Sequence, residues 1–275
     1  MRRLAALLLA AAAGNAAAMP PLIDAHAHYS AADAAVLPPA AVVARLDAAG
    51  VRRLAVAGTP PELAQRLYRH APERVLPLLG VYRNADDKTR WMHDPGLPAR
   101  VAAQLASGRW AGLGELHLFA ADAQQPVFAQ LAKLAAAHRL VLLIHGDAEV
   151  VDAAFAAAPG VRILWAHLGT EPRPELLAAM LARHPRLWID TSVRDERIAP
   201  DGVLLPAWRA LFERHPTRFV VAVDAFSVNR WRHYGSVVAA IRRWLEPLPQ
   251  PLRDGLRHDN AARLFDAFPP PPVAP

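Results

Sequence analysis

The chain has 275 residues, of which 53% are hydrophobic and 20% charged, which is enough apolar sequence for one large domain with a sizeable core. It contains no cysteine, which excludes disulfides, thiolate metal sites and a cysteine nucleophile, so that His, Asp and Glu are the remaining strong metal ligands. The formal charge of +6 is spread along the chain without a long Lys/Arg run, so nucleic acid is not expected as a partner.

The first eighteen residues differ from the rest of the chain. Arg2 and Arg3 precede an apolar run at 4–13, and Ala16-Ala17-Ala18 follows as a small-residue cleavage site. This layout is typical of a secretory signal peptide, and the apolar run is too short to span a bilayer. We therefore predict a cleavable signal peptide at 1–18 and a periplasmic or secreted protein without a membrane span.

After the leader, apolar strand-like runs alternate with helix-like segments. Strands are predicted at 22–27, 51–57, 75–81, 111–118, 140–144, 161–166, 187–190 and 219–223. Helices are predicted at 40–49, from the turn at 58–61 to about 70, and at 98–107, 126–138, 148–158, 174–183, 204–214, 237–245 and 251–268. Eight strand-then-helix units predict an α/β fold, a single-domain (β/α)8 TIM barrel over 19–268. The Pro-rich residues 269–275 are predicted to form a disordered tail.

Six residues with nitrogen or oxygen ligand atoms stand where predicted strands end. Barrel enzymes place their chemistry at the C-terminal ends of the strands, so these side chains are expected to meet at one mouth. Two of them lie two residues apart on the first strand and therefore leave it from one face. Imidazole and carboxylate are suitable ligands for a divalent cation. The six residues are His26, His28, Glu115, His145, His167 and Asp224.

Three further residues are candidates for substrate contacts. His117 lies two residues beyond Glu115 and shares its face of the strand. Arg83 and Arg194 follow the third and seventh strands, where two guanidinium groups would suit an anionic substrate. The alternative for both arginines is a surface ion pair. The polar stretch 82–97, which contains Trp91, is longer than usual connections. Its residues 83–97 are a candidate specificity lid.

Four other histidines stand at the ends of predicted helices, just before the next strand. A polar or cationic side chain there can cap free carbonyls, and this face of a barrel is the one associated with stability. A structural role is therefore predicted for His70, His138, His184 and His215.

The order His-x-His, Glu, His, His, Asp over eight strand-helix units resembles the amidohydrolase superfamily, in particular its amidohydrolase-2 and TatD-like branches. The segment Asp259-Asn-Ala-Ala-Arg-Leu-Phe265 is similar to the closing helix of the first branch, and Gly114-Glu115 to a Gly-Glu of the second. The resemblance covers nearly the whole mature chain.

The resemblance implies a divalent metal centre of one or two ions, zinc in the first place and manganese as the alternative. His26, His28 and Asp224 would hold the first ion, His145 and His167 the second, and Glu115 would bridge them. A metal-activated water would attack a lactone, ester or amide bond of a small molecule, with Asp224 as general base and proton shuttle.

Three other functions stay open at this point. One is a TatD-like phosphoesterase or nuclease, against which the export signal and the absence of a clustered basic groove count. Another is a non-oxidative decarboxylase of the amidohydrolase-2 branch, whose members commonly show Glu-x-His where this chain has His26-x-His28. The third is a binding or metal-sequestering module on a retired catalytic fold.

Overall fold

A computed structural model describes residues 21–268 as an α/β barrel of parallel strands with helices around it. The predicted signal peptide at 1–18 and the predicted tail at 269–275 lie outside the described residues. The strands pair in chain order, each parallel to the next. They are β1 Leu22–Ser30, β2 Val51–Thr59, β3 Val75–Leu79, β4 Gly112–Leu118, β5 Val141–Gly146, β6 Arg162–Trp165, β7 Leu187–Asp190 and β8 Phe219–Val220.

The strands are buried on both faces because the helices cover the outside of the sheet, which explains their nearly uninterrupted apolar sequences. Among the described residues, no helix combines the length and apolar character that crossing a membrane requires. The helices are α1 Ala31–Val36, α2 Pro39–Ala49, α3 Glu62–His70, α4 Leu97–Ser107, α5 Pro126–Ala137, α6 Ala148–Ala157, α7 Pro174–Arg183, α8 Asp195–Ile198, α9 Pro206–Arg214, α10 Val228–Arg232, α11 Tyr234–Leu245, α12 Gln250–Asp254 and α13 Asn260–Leu264.

The two ends of the sheet meet between β1 and the extended segment that continues β8. The Asp224 N–H donates to the His26 carbonyl at 2.8 Å, and the His28 N–H donates to the Ala225 carbonyl at 3.2 Å. These bonds join the last strand to the first, as closure of a (β/α)8 barrel requires. They also bring His26, His28 and Asp224 to the same stretch of the rim.

The C-terminal helical segment holds β8 at the end where the chain enters the strand. A turn of π-helix at Gly255–Asp259 links α12 to α13. At its end the buried Asn260 donates to the carbonyls of Pro216 and Phe219, both at 2.8 Å. The closing helix therefore holds the entry into β8 in place through side-chain hydrogen bonds as well as packing.

The predicted architecture fits the observed one, with local differences. The ladder of β8 is shorter than the predicted strand at 219–223, because the chain beyond Val220 turns its hydrogen bonds towards β1. Three short helices, α1, α8 and α10, were not predicted. The first is begun by a capping box between Ser30 and Asp33, which makes a six-residue helix stable where no long apolar repeat exists.

The long loop after β3 is held to the barrel by Trp91. It forms two 3-10 turns, Ala85–Thr89 and Trp91–His93. The Trp91 ring is buried against Phe128, and its indole N–H donates to the His117 carbonyl at 2.9 Å. Trp91 therefore anchors the loop to β4.

Candidate active site

The six predicted ligand residues lie together at the C-terminal rim of the barrel, around Glu115. Its Oε1 is 3.2 Å from His145 Nδ1, 3.2 Å from His167 Nε2 and 3.6 Å from His26 Nε2. Its Oε2 is 3.2 Å from His28 Nε2. Glu115 is buried, so this carboxylate is surrounded by imidazole nitrogens where water has little access.

Asp224 completes the group on the side where β8 meets β1. Its Oδ1 lies 3.4 Å from His28 Nε2 and 3.7 Å from His26 Nε2, and its Oδ2 lies 3.9 Å from His167 Nε2. Two carboxylates and four imidazoles thus converge on one small volume. We refer to His26, His28, Glu115, His145, His167 and Asp224 as the rim cluster.

Two members of the rim cluster are held in an unfavourable backbone conformation. His167 and Asp224 have φ of 61° and 50°, in the left-handed region that side chains with a Cβ rarely occupy. Such residues persist where the surrounding structure over-determines them, and they concentrate at functional sites. In these conformations the His167 ring faces Glu115, and the Asp224 carboxylate faces the histidines of β1.

Asp190, at the end of β7, holds two of the imidazoles at once. Its Oδ2 lies 3.0 Å from His26 Nδ1, and its Oδ1 accepts hydrogen bonds from the His167 N–H at 3.0 Å and the Ser192 hydroxyl at 2.5 Å. The Ser192 oxygen in turn lies 2.8 Å from His167 Nδ1. Because Ser192 gives its proton to Asp190, it accepts from His167.

This network fixes the tautomers of both rings. His26 and His167 each carry a proton on Nδ1, which leaves the Nε2 lone pair directed into the cluster. A carboxylate or serine behind a metal-binding histidine has this same effect in metalloproteins. The two rings are therefore prepared to offer a lone pair to a cation.

His117 has the opposite arrangement. The Tyr82 hydroxyl accepts from the His117 backbone N–H at 2.8 Å and lies 3.2 Å from Nδ1 of the same residue, to which it donates. The remaining ring proton is on Nε2, 3.3 Å from Glu115 Oε2. Burial lowers the pKa of His117 to about 3, so the ring is neutral. His117 is thus a hydrogen-bond donor that orients Glu115.

The charges of the rim cluster are strongly coupled. Burial acts against the charged form of Glu115, but the charge of His26 and a hydrogen bond from His145 hold the pKa of this carboxyl well below its usual range. Burial likewise acts against a charged His26, yet the carboxylates of Glu115 and Asp224 raise the pKa of that imidazole well above its usual value. Without a cation, a proton on His26 therefore balances the carboxylates.

The nitrogen and oxygen atoms of the rim cluster are better arranged to bind a divalent cation than to form hydrogen bonds with one another. The Nε2 atoms of His26 and His28 face one another at 3.2 Å, where at most one of them can carry a hydrogen. The buried Asp224 Oδ1 has no hydrogen-bond partner. One ligand atom from each of His26, His28 and Glu115 lies within 4.8 Å of the others, as the coordination sphere of a metal ion requires. Imidazole and carboxylate are ligands of zinc and manganese.

Two neighbouring groups of ligand-type atoms have other roles. Asp190 lies close to His26 and His167, but its two oxygens are already engaged by Ser192, the His167 backbone and the His26 ring. The group formed by Glu115, His117 and His145 is also compact, but there the His117 nitrogen donates a proton. Asp190 and His117 are therefore supports for the ligands.

A further buried carboxylate supports the start of β1. Asp24 accepts hydrogen bonds from the Val223 N–H at 2.9 Å, the His26 N–H at 3.2 Å and the Tyr234 hydroxyl at 2.8 Å. Burial raises the pKa of Asp24 to about 7, against the effect of these three donors. Asp24 thus joins β1, the end of β8 and α11 directly beneath the rim cluster.

The two candidate substrate arginines do not join the rim cluster. Arg83 is exposed and forms an ion pair with Asp87 at 3.1 Å, which is the surface alternative considered above. Arg194 donates to the His167 carbonyl at 3.0 Å and so supports the turn after β6. Both guanidinium groups are thus engaged within the protein, where the sequence suggested contacts with an anionic substrate.

The histidines predicted at helix ends lie away from the rim cluster. His184 has the predicted structural role: its ring stacks on Phe155 and pairs with Asp152 at 2.5 Å, at the opposite end of the barrel.

Sequence reasoning missed Asp190, Ser192, Tyr82 and Asp24. One signal for Asp190 was present, because it ends the predicted strand 187–190 in the same way as the six chosen residues end theirs. Ser192 and Tyr82 act through their partners, His167 and His117, and nothing in the local sequence marks such partners.

A family model described as Amidohydrolase matches residues 23–267. The chain belongs to the amidohydrolase family. Among curated proteins no match was found.

Solved structures of similar fold include several amidohydrolases. A zinc-bound amidohydrolase from Burkholderia multivorans is 17% identical with a TM-score of 0.56, covering 91% of this chain and 100% of its own. A probable 2-pyrone-4,6-dicarboxylic acid hydrolase from Acinetobacter baumannii with bound citric acid is 14% identical with a TM-score of 0.59, covering 89% and 99%. Amidohydrolase 2 from Bifidobacterium longum subsp. infantis is 18% identical with a TM-score of 0.54, covering 90% and 98%.

The family membership confirms the resemblance seen in the sequence to the amidohydrolase-2 branch. This amidohydrolase is therefore an enzyme, a metal-dependent hydrolase, and its rim cluster supplies the groups that such an enzyme needs.

We predict that Asp190→Asn weakens zinc binding about 10–100-fold, because an amide cannot both accept from His26 and keep its bonds to Ser192 and His167. Competition with a chromophoric chelator measures the affinity. Asp152→Asn, which alters the pair with His184 at the other end of the barrel, is the matched control and should leave the affinity unchanged. Equal affinities in a folded Asp190→Asn protein would contradict the assigned role.

Proposed function

We propose that this amidohydrolase hydrolyses a lactone, ester or amide bond of a small molecule, using one or two divalent cations held by the rim cluster. The observation that carries the proposal is the convergence of buried imidazole nitrogens and two carboxylates on one volume, with Asp224 Oδ1 lacking any hydrogen-bond partner. Zinc is the first candidate and manganese the second, since both accept this donor set.

His26, His28 and Asp224 would hold a first ion, because they lie on the paired edges of β1 and β8. Glu115 would bridge to a second position beside His145 and His167, each of which has a nitrogen 3.2 Å from Glu115 Oε1. When bound, such an ion lowers the pKa of a water molecule and polarises the carbonyl oxygen of the substrate.

Asp224 is the proposed general base. It offers two oxygens, so that one can face a cation while the other takes the proton of the attacking water and returns it to the leaving group. His117 is neutral and holds Glu115 by donating to it, which keeps this carboxylate from turning away from the cluster. Asp190 and Ser192 accept from the Nδ1 atoms of His26 and His167, which aims the Nε2 atom of each ring at the rim cluster.

We predict that Asp224→Asn lowers kcat by about 10²–10⁴-fold, because the amide cannot accept the proton. Zinc content by mass spectrometry should stay above half of the wild-type value, since the four imidazoles and Glu115 are untouched. Turnover is measured on a panel of lactones, esters and amides.

Asp201→Asn is the control, because Asp201 is an exposed aspartate that also has positive φ, 56°, and should keep full activity. Full activity of Asp224→Asn itself would overturn the assignment of the base.

Metal binding should release protons at neutral pH. The pKa of His26 is raised well above its usual value, so the ring is protonated at pH 7 in the metal-free protein and must lose that proton to act as a ligand. Because the pKa of Glu115 is held low, this carboxyl releases none. Affinity for zinc should therefore fall as the pH falls.

We predict release of about one proton per bound ion at pH 7. Isothermal titration calorimetry of the metal-free protein in buffers of different ionisation enthalpy measures this number. A binding enthalpy that is independent of the buffer would contradict the assignment of the balancing proton to His26.

Export is proposed from the sequence alone, since residues 1–18 have the layout of a signal peptide. We predict that the mature protein, purified from the extracytoplasmic fraction of its host, begins near residue 19 by N-terminal sequencing. A cytoplasmic protein with an intact N-terminus would refute the proposal.

A further inference from the structure

The exposed apolar side chains of this protein are concentrated on one face. Among the described residues, every large exposed hydrophobic side chain lies between the end of a strand and the next barrel helix, on the face that carries the rim cluster. An apolar surface beside a cluster of polar groups is typical of a small-molecule site. These side chains are Val36, Phe119, Val193, Val203, Leu205 and Phe226.

Phe119 contacts the rim cluster through its ring. It follows β4 directly, and its ring lies edge-on to that of His145, with the ring centroids 6.2 Å apart. Half of the Phe119 side chain, 51%, is exposed. The free part of the ring therefore forms a wall next to the cluster.

The rim cluster is most accessible to solvent on the side of Phe119. The His145 side chain is 30% exposed, compared with 14% for His28 and 7% for His167. A molecule that approaches the buried Glu115 therefore passes His145 first, and Phe119 with it.

Neither of the two candidate arginines is available to bind a charged group of the substrate. Arg83 is paired with Asp87, and Arg194 donates to backbone carbonyls. Lys88 is exposed on the loop between β3 and α4. A carboxylate-bearing substrate would use such an ammonium group, so the test includes Lys88.

We propose that the substrate is uncharged and carries an aryl or alkyl group, which packs on the exposed ring of Phe119 while the scissile carbonyl faces the rim cluster. This inference rests on the proposed function for the position of the reacting bond. Phe119 is then a specificity-determining residue.

The test uses binding, so that it does not depend on turnover. Three hydroxamic acids with the same chelating group are titrated into the zinc-loaded full chain by calorimetry: acetohydroxamic, benzohydroxamic and succinic monohydroxamic acid. The preference is defined as the ratio of the Kd values for the acetyl and benzoyl compounds. Burying half of a phenyl ring is worth about a tenfold change in Kd.

Phe119→Ala should lower this preference about tenfold, and Phe119→Leu should restore most of it. Leu205→Ala is the matched control, since Leu205 is exposed on the same face and has no ring contact with the cluster; it should leave the preference unchanged. Lys88→Met should likewise leave it unchanged. Zinc content and thermal unfolding check that each variant is folded.

Three outcomes would overturn the inference: an unchanged preference in Phe119→Ala, tightest binding of the succinic compound with loss of that binding in Lys88→Met, or a stable dimer that Phe119→Ala dissociates. A Phe119-dependent preference supports it. If that preference is found while no lactone, ester or amide is turned over with any metal, the proposed hydrolysis fails and the apolar site stands.

Discussion

The hydrogen bonds around Asp190 are the constraint on which the site depends. One buried carboxylate determines the protonation of two imidazoles, directly for His26 and through Ser192 for His167. Both rings consequently direct a lone pair at Glu115, an arrangement that is repulsive unless a proton or a cation lies between them. The rim cluster therefore contains mutually repelling donor atoms, and a divalent cation bound between them would remove this repulsion.

The barrel can accommodate this repulsion because hydrogen bonds from several strands and helices hold the residues of the rim cluster in place. Asp24 connects β1, α11 and the segment that continues β8 beneath the cluster, and Tyr82 orients His117 from the loop after β3. The left-handed backbone of His167 and Asp224 costs of order 1–3 kcal/mol per residue, which the large apolar core compensates. The apolar core of the barrel therefore provides the stability, and the rim carries the groups for the chemistry.

The sequence predicted well whatever depends on periodicity. Strand ends such as Ile144-His145 and Val223-Asp224 were recognisable because a long apolar run stops at one polar residue, and a parallel barrel places all such stops on one face. It predicted poorly whatever depends on side-chain partners distant in sequence. The pairing of Asp190 with His26 spans 164 positions, and Arg83 pairs with a neighbour four residues away instead of reaching the mouth.

The way in which the sheet closes has a consequence for how the protein is made. β1 is translated long before its hydrogen-bonding partner in residues 221–225, and the chain just before that partner is held by Asn260 in α13. One edge of β1 therefore stays unpaired until residues 221–225 have been translated. Because an open strand edge of this kind pairs readily with other chains, fast synthesis of these residues or a chaperone protects the nascent protein from aggregation.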